Sequence, residues 1–175
     1  MKKKNALRRK LKSKVGFTLT ELLLTTLILL MVSSVVAVGV PTAANAYFKV
    51  IDAANAQILL STTVTRLKSE LSLASYVSGD GNSIVYSTNG VQKTISKDAE
   101  KGIQVKTNEE AEAQQLVPKA ITNSLRSNNM VSEYGDSGIT YADGVFTISG
   151  LIITKDSKTL AGPVNLTIRT VTGTQ

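Results

Sequence analysis

The sequence predicts an α+β protein in which one long N-terminal helix packs against a C-terminal head made of antiparallel β-sheet. Three observations predict this fold class. An uncharged, mostly apolar run covers the 19 residues 22–40, which is the length of a membrane-spanning helix. Apolar residues then recur at steps of three and four to Leu71, which indicates an amphipathic helix that continues to about residue 78. Beyond residue 79, Asn-Gly and Asp-Gly pairs separate strand-like runs, which indicates β-hairpins.

The positive charge of the chain is concentrated at its start. The 175 residues contain 20 Lys and Arg against 13 Asp and Glu, for a net charge of +7, and eight of the basic residues precede Gly16. From Phe17 onward the balance is 12 basic to 13 acidic residues. Nucleic-acid binding requires a concentrated basic surface, and the basic residues of the head are scattered among acidic ones. The sequence therefore does not support DNA binding, although folding could still assemble a basic face.

The composition argues against an enzyme and against a metal or cofactor site. The chain has no Cys and no His, so it lacks disulfides, thiolate nucleophiles, imidazole bases and the commonest zinc ligands. Asp80 and Asn82 begin a run that resembles a calcium loop, but Ile84 stands where the next oxygen ligand is needed. We therefore expect a turn at this position, with no metal and no cofactor.

Residues 22–40 are predicted to cross the membrane once. Twelve of them are Leu, Ile or Val, which together favour insertion by on the order of 5 kcal/mol. Glu21 lies at the very start of the span, where one carboxylate should not prevent insertion. Eight basic residues precede the span and only Lys49 lies in the twenty residues after it. The positive-inside rule then places the N-terminus in the cytoplasm and the head outside.

The residues that open the span are specific to one kind of protein. Gly16-Phe17-Thr18-Leu19-Thr20-Glu21, which follow a basic leader and precede an uncharged helix, resemble the processing site of type IV pilins and pseudopilins. The resemblance implies that a prepilin peptidase removes residues 1–16 by cleaving after Gly16. It also implies that the new amine of Phe17 is methylated. Glu21 would then form a filament-assembly salt bridge with the Phe17 amine of the same or a neighbouring subunit, because a buried carboxylate needs a cationic partner.

The same resemblance implies a structural role and a set of partners. The chain would be a major pilin, a minor pilin or a pseudopilin, in a filament of copies of itself or of other pilins. Its other partners would be the prepilin peptidase, the inner-membrane assembly platform and membrane lipid before assembly. The precursor would lie in the cytoplasmic membrane, and the assembled filament at the cell surface. Adhesion, motility, DNA uptake and secretion all remain open as roles.

A different class of function also fits part of the sequence. Ala44 and Ala46 form the small-residue pattern at which a secretory signal peptide is cut, and that cut would leave a soluble protein starting at Tyr47. The apolar run is longer than the roughly 7–15 residues of such a signal. The alternative function is therefore a secreted or membrane-anchored binding module, such as an adhesin, that forms no filament.

The predicted helix has two halves. Residues 17–41 form the transmembrane or filament-core half, which ends at Pro41, where the missing N–H and the ring predict a kink. Residues 42–78 form an amphipathic half that ends before Gly79. Its apolar positions are expected to face the head: Val50, Ile51, Ala54, Ile58, Leu60, Val64, Leu67 and Leu71.

Residues 79–175 form the predicted β-rich head. Hairpin turns are expected at 89–90 and 143–144, with a bulge at Gly150. Residues 164–171 alternate in polarity, as in a strand with one wet face. Residues 108–129 are predicted to be helical, with Asn108 as the N-cap and a break at Pro118.

Overall fold

A computed structural model of the protein describes residues 17–110, 112–117 and 129–171. It contains one long helix followed by strands, which confirms the predicted α+β fold. The described elements are α1 (Leu19–Leu71), β1 (Ser75–Asp80), β2 (Ser83–Thr88), β3 (Val91–Asp98), β4 (Gly102–Thr107), β5 (Gln114–Gln115), β6 (Met130–Glu133), β7 (Ile139–Ala142), β8 (Val145–Lys155) and β9 (Lys158–Arg169).

The strands form two antiparallel sheets. The first is a meander in which β1 to β5 pair in chain order. The second is built around β8, which pairs with β9 along one side. Along the other side, β7 pairs with the first part of β8 and β6 with its last part. Every pairing in both sheets is antiparallel, as the hairpin signals predict.

Contacts divide the chain into two compact units, Met1–Tyr47 and Phe48–Gln175. The second unit joins the C-terminal part of α1 to both sheets around a single apolar core. The helix contributes Ala56, Leu59, Leu60, Leu67 and Leu71 to this core, and the strand side chains buried with them include Tyr86, Ile95, Phe146, Ile148, Leu151 and Ile153. Burial of such aliphatic and aromatic groups stabilises the unit by roughly 1.5–3 kcal/mol each.

The face of α1 that packs on the strands differs from the predicted one. The buried side recurs at Ala56, Leu59, Thr63 and Leu67, and Leu60 and Leu71 flank it. The predicted stripe overlaps this face at Leu60, Val64, Leu67 and Leu71. It is wrong at Val50, Ala54 and Ile58, which are exposed, with 69% of Val50 and 54% of Ile58 accessible. Both sides of this part of the helix carry apolar residues, so spacing alone could not choose between them.

Two ion pairs fix α1 to the two sheets. Glu70 of the helix accepts hydrogen bonds from Lys93 of β3 and from the phenol of Tyr86 on β2, the latter at 3.0 Å. At the second sheet, Asp52 of the helix binds Lys155 at the end of β8, with 3.0 Å between Oδ2 and Nζ. Both pairs are about three-quarters or more shielded from solvent. Each sheet therefore has its own polar attachment to the helix, which sets the helix register against the core.

The helix ends earlier than predicted, at Leu71 instead of residue 78. The intervening residues turn and then enter β1, where Tyr76 pairs with Tyr86 of β2. Tyr76 also stacks on Tyr141, with ring centroids 4.7 Å apart. Aromatic and β-branched residues favour a pleated surface with cross-strand neighbours over a helix. The apolar periodicity itself ends at Leu71, and the predicted extension to residue 78 rested on Gly79 as the stop.

The helix predicted for residues 108–129 is wrong where the structure describes it. Residues 108–110 form a turn, and Asn108 is bonded through both backbone and side chain to Gln92 of β3. Gln114 and Gln115 then form β5 against β4. Pairing of this segment with the edge of the first sheet supplies the backbone bonds that a helix would otherwise provide. The predicted break at Pro118 and the rest of the segment to residue 128 lie outside the described residues.

The predicted turns are confirmed, and one further turn was not predicted. Asn89-Gly90 and Asp143-Gly144 adopt positive φ at both positions, as two-residue hairpins require. Asp156-Ser157 does the same between β8 and β9, although neither residue is a glycine. Gly150, also at positive φ, lies in the register shift between Ile148 and Leu151 that the bulge prediction anticipated. The polarity alternation along residues 164–169 is confirmed, with Val164, Leu166 and Ile168 on the shielded side.

The two sheets are joined at the turn between β1 and β2. Gly81 and Ile139 exchange both backbone hydrogen bonds, at 3.0 and 2.9 Å. The phenol of Tyr134 donates to the carbonyl of Asn82 at 2.6 Å. Residues 80–83 therefore form a turn, as the sequence predicts, and this turn carries the junction of the two sheets.

Replacing Gly138 by Ala should disrupt this junction. Gly138 has a φ of 63°, and a Cβ there would overlap the carbonyl of Gly81. Gly144→Ala is the matched control, because its φ of 76° is similar but its nearest neighbouring atom is 3.7 Å away. The control should lower the free energy of unfolding by about 1–2 kcal/mol, and Gly138→Ala by at least twice as much. Equal losses in detergent-solubilised full-length chains would contradict this account of the junction.

Stability should fall at high pH because of two buried phenols. Burial raises the pKa of Tyr134 to about 12, and burial and the nearby Glu70 carboxylate raise the pKa of Tyr86. Between pH about 10 and about 12 the unfolded chain releases the phenol proton of residue 134 while the folded chain retains it. The free energy of unfolding should therefore decrease through this window, by up to about 2 kcal/mol for Tyr134. Tyr134→Phe should make the decrease shallower, and an unchanged slope would contradict the assignment.

Candidate functional site at the N-terminus of the long helix

The candidate site lies where the described chain begins. Gly16 and the basic leader, residues 1–16, lie outside the described residues, so the predicted cleavage point is not described. Phe17 is the first described residue, and 74% of its surface is exposed. Thr18 follows it, and α1 begins at Leu19. Phe17 and Glu21, the two predicted site residues inside the described chain, therefore lie at the start of one helix.

Thr18 and Glu21 form a reciprocal cap on this helix. The carbonyl of Thr18 accepts the first helical hydrogen bond, from the N–H of Leu22 at 3.1 Å. The N–H of Glu21 donates to the hydroxyl of Thr18 at 3.3 Å, and the carboxylate of Glu21 accepts from the N–H of Thr18 at 3.1 Å. This is the capping-box arrangement, which satisfies two N–H groups that the first helical turn would otherwise leave unpaired.

The hydroxyls around Glu21 extend this network. The Thr18 hydroxyl donates its one proton to Glu21 Oε2 at 3.0 Å. The Thr20 hydroxyl, 3.0 Å from that of Thr18, must then be the donor between the two. Thr20 thus donates to the hydroxyl oxygen of Thr18, which in turn donates to Glu21.

Glu21 has hydrogen-bond donors but no charged partner among the described residues. No Lys or Arg of residues 17–110, 112–117 and 129–171 lies within 4.0 Å of its carboxylate. Both described donors to the carboxylate belong to Thr18, a neutral residue. The carboxylate is therefore oriented, and its negative charge is left available for a cation supplied from elsewhere. A negative group at a helix N-terminus is also favoured by the helix dipole.

The helix that follows this cap is long and apolar enough to cross a membrane. Its most apolar window has a mean hydropathy of 2.5, and none of that window is buried. Hydroxyls within the run donate to carbonyls of the preceding turn: Thr25, Thr26, Ser34 and Thr42. These polar groups are thus satisfied inside the helix, which is what a hydrocarbon environment requires. The segment is compatible with a membrane anchor or with a signal sequence.

Pro41 lies inside this helix without interrupting it. The helix continues on both sides, and Thr42 bonds the carbonyl of Val38 at 2.8 Å. The bend predicted at Pro41 stays a prediction. Ala44 and Ala46, the residues of the alternative cleavage pattern, also lie within the continuous helix.

The head offers no comparable constellation of ionisable ligands in the part of the chain that is described. No group of three or more Asp and Glu residues is placed there to hold a metal ion. The carboxylate of Asp98 accepts from the N–H groups of Lys101 and Glu100, and these bonds hold its pKa below the ordinary value. This arrangement closes the turn between β3 and β4.

Comparisons with other proteins do not assign the chain to a family. Scans against protein-family models, curated proteins and solved structures give no significant match. The function is therefore argued from the residues and their geometry.

Thr18 is the functional residue that the sequence reasoning missed. Its signal was present, because Thr-x-x-Glu directly before an apolar run is the sequence signature of a capping box. The resemblance directed attention to Glu21, and the residue three positions before it was not considered as a cap.

Replacing Thr18 by Val should loosen the first turn while preserving side-chain shape. Loss of an N-cap side chain costs about 1 kcal/mol, which corresponds to roughly fivefold faster exchange of the Glu21 amide hydrogen. Thr18→Ser, which keeps the hydroxyl, is the control and should exchange like the parent chain. Hydrogen-exchange measurements on the detergent-solubilised protein would contradict the cap if the two variants behaved alike.

Proposed function

We propose that this chain is a prepilin, a single-span precursor of a subunit of a type IV pilus or a related filament. On this proposal it is cleaved after Gly16, methylated at Phe17 and assembled with copies of itself or with other pilins. The role is structural: the long helix packs in the interior of the filament and the strands form its surface. The proposal covers major pilins, minor pilins and pseudopilins alike.

The observation that carries the proposal is the placement of Glu21. Its carboxylate is held at the first turn of an uncharged helix, four residues after Phe17. Among the described residues this carboxylate has no cationic partner. An unpaired charge buried among apolar helices is strongly unfavourable, so packing this region between subunits requires a cation. Cleavage after Gly16 would create one, the amine of Phe17, close to the carboxylates of neighbouring helices.

The exposed apolar surface of α1 supports the proposal independently. In the first unit all of the large apolar side chains from Leu19 to Val40 are more than half exposed. In the second unit, Val50 and Ile58 of the helix are also more than half exposed. A surface of this extent needs lipid or other helices to cover it. Lipid would cover it in the precursor, and the helices of neighbouring subunits in the filament.

An assembly of this kind is open-ended. The helix start of one subunit would contact a different surface on the next subunit, which makes the contact heterologous. Repetition of a heterologous contact whose rotation does not close produces a helical filament. The proposed pairing of Glu21 with a Phe17 amine on another subunit has this property, and it also fixes the axial register between subunits.

Replacing Glu21 by Gln should reduce incorporation into filaments. The amide keeps the shape of the side chain and its ability to accept from Thr18, but it removes the charge that would pair with the Phe17 amine. We expect unchanged membrane insertion and cleavage, and at least a tenfold decrease of the protein in sheared surface filaments, since loss of a buried pairing partner costs several kcal/mol.

Glu109→Gln is the matched control, because Glu109 is an exposed carboxylate in a turn of the head. It should leave the amount in the sheared fraction unchanged. Equal incorporation of the Glu21 and Glu109 variants would contradict the proposed role of Glu21. Absence of the parent chain from any sheared filament fraction of its native host would favour the membrane-anchored or secreted binding module instead.

A further inference from the structure

A cleft lined by three lysines lies beside the helix in the second unit. It has a volume of about 500 Å³ and is lined by Lys49, Asp52, Lys155, Asp156, Lys158 and Leu160. We refer to it as the lysine cleft. Lys49 and Asp52 come from α1, and the other four residues come from the hairpin of β8 and β9. The turn of this hairpin, Asp156-Ser157, is the one that the sequence did not predict.

Lys49 is the first charged residue after the apolar part of α1. The 27 residues 22–48 contain no Asp, Glu, Lys or Arg. As a helix they extend about 40 Å, close to the thickness of about 40–45 Å of a bilayer with its headgroups. Tyr47 lies two residues before Lys49, and Tyr is enriched at the membrane–water interface. If the helix spans the membrane, Lys49 therefore lies at the level of the outer headgroups.

The hairpin of β8 and β9 is held at this same level of the helix. Lys155 binds Asp52 at 3.0 Å, and Asp52 is three residues, less than one helical turn, beyond Lys49. Both side chains of the pair are at least four-fifths shielded from solvent. Lys158 follows the two-residue turn and is paired in the ladder with Lys155. The ion pair thus brings Lys158, which is more than 100 residues away in sequence, into one cleft with Lys49.

Two of the three lysines form no direct ion pair, and the cleft as a whole carries three positive and two negative side chains. Lys155 is neutralised by Asp52. Lys49 and Lys158 are exposed, and neither has a carboxylate within 4.0 Å among the described residues. Asp156, which also lines the cleft, keeps its negative charge, because the side-chain amide of Asn129 that donates to it at 3.1 Å is neutral. The cleft therefore has a net positive charge, and the ammonium groups of Lys158 on the hairpin and Lys49 on the helix have no carboxylate within 4.0 Å among the described residues.

We propose that the lysine cleft binds the phosphates of anionic phospholipid headgroups in the outer leaflet while the chain is still in the membrane. The proposal rests on the membrane-spanning orientation in the proposed function and adds a partner for the head. Basic residues next to a span gain about 1 kcal/mol each at an anionic surface. The contact would hold the hairpin at the bilayer while α1 remains in lipid. Since it is electrostatic, it would weaken as ionic strength rises.

The absence of Cys from the chain permits a direct test. Thr159→Cys places a single fluorophore on an exposed residue beside Lys158. Glu109→Cys places the same fluorophore in a turn next to Glu110, which lines a different cavity with Arg66 and Glu70. The full chain is reconstituted into phosphatidylcholine vesicles with or without phosphatidylglycerol. A small fraction of phospholipid carrying a nitroxide on its headgroup quenches any label that reaches the headgroups.

We expect stronger quenching at residue 159 in the vesicles that contain phosphatidylglycerol, and no such difference at residue 109. Neutralising both exposed cleft lysines with K49Q and K158Q should remove the difference. Each substitution should lower the ratio of bound to unbound hairpin about fivefold. The matched control is K101Q with K106Q, which removes the same charge from exposed positions elsewhere in the head. This control should quench like the parent chain.

Three results would overturn the inference: equal quenching at residue 159 in both kinds of vesicle, an undiminished difference in the K49Q and K158Q variant, or an equal loss in the control variant. Extraction of the vesicles with alkaline carbonate separates this failure from failure of the proposed function. A chain that is released by carbonate is not membrane-spanning, which removes the basis of both proposals. A retained chain without the lipid-dependent quenching refutes the headgroup contact alone.

Discussion

The structure depends on one constraint: the first part of α1 carries a continuous apolar surface that no other described part of the chain covers. A soluble domain would cover such a surface with its own strands or helices. Here the strands pack only on the later part of the helix, through Leu59, Leu60 and Leu67. On the proposed function, lipid or the helices of neighbouring subunits would supply the missing packing. The internal bonding of the Thr and Ser hydroxyls suits the helix to both environments, because neither offers water as a hydrogen-bond partner.

Glu21 is the exception in this apolar surface, and its environment explains how it is tolerated. Thr18 supplies its backbone N–H and its hydroxyl to the carboxylate, so the charge remains oriented before any partner arrives. The same contacts cap the helix, which means that one pair of residues stabilises the isolated chain and prepares the proposed assembly contact. In the head, the ion pairs of Asp52 and Glu70 have a corresponding role, since each fixes the helix against one of the two sheets.

Much of the fold could be predicted from the sequence, and the errors have physical reasons. The turns at Asn89-Gly90 and Asp143-Gly144 were predictable because these pairs favour positive φ, whereas Asp156-Ser157 adopts it through its place between two long strands. The end of α1 and the segment at 108–117 were predicted wrongly, because pairing with distant strands overrides local periodicity and capping signals. For the site, Gly16, Phe17 and Glu21 were selected from their order in the sequence, and their roles stay predictions. The hydrogen bonds of Thr18 are seen only in the three-dimensional structure. The same is true of the lysine cleft, because it joins positions 49 and 158, which are far apart in sequence.

The most direct test of the account is the intact mass, with N-terminal sequencing, of the protein recovered from its native host. The proposed assembly role requires that cleavage creates a new amine at residue 17. Without that amine, Glu21 and the exposed apolar helix have no shared function. The account predicts a chain that begins with methylated Phe17. A chain that begins at Tyr47 would contradict it, because the apolar helix would then have served as a signal peptide and the assembly role of Glu21 would be lost.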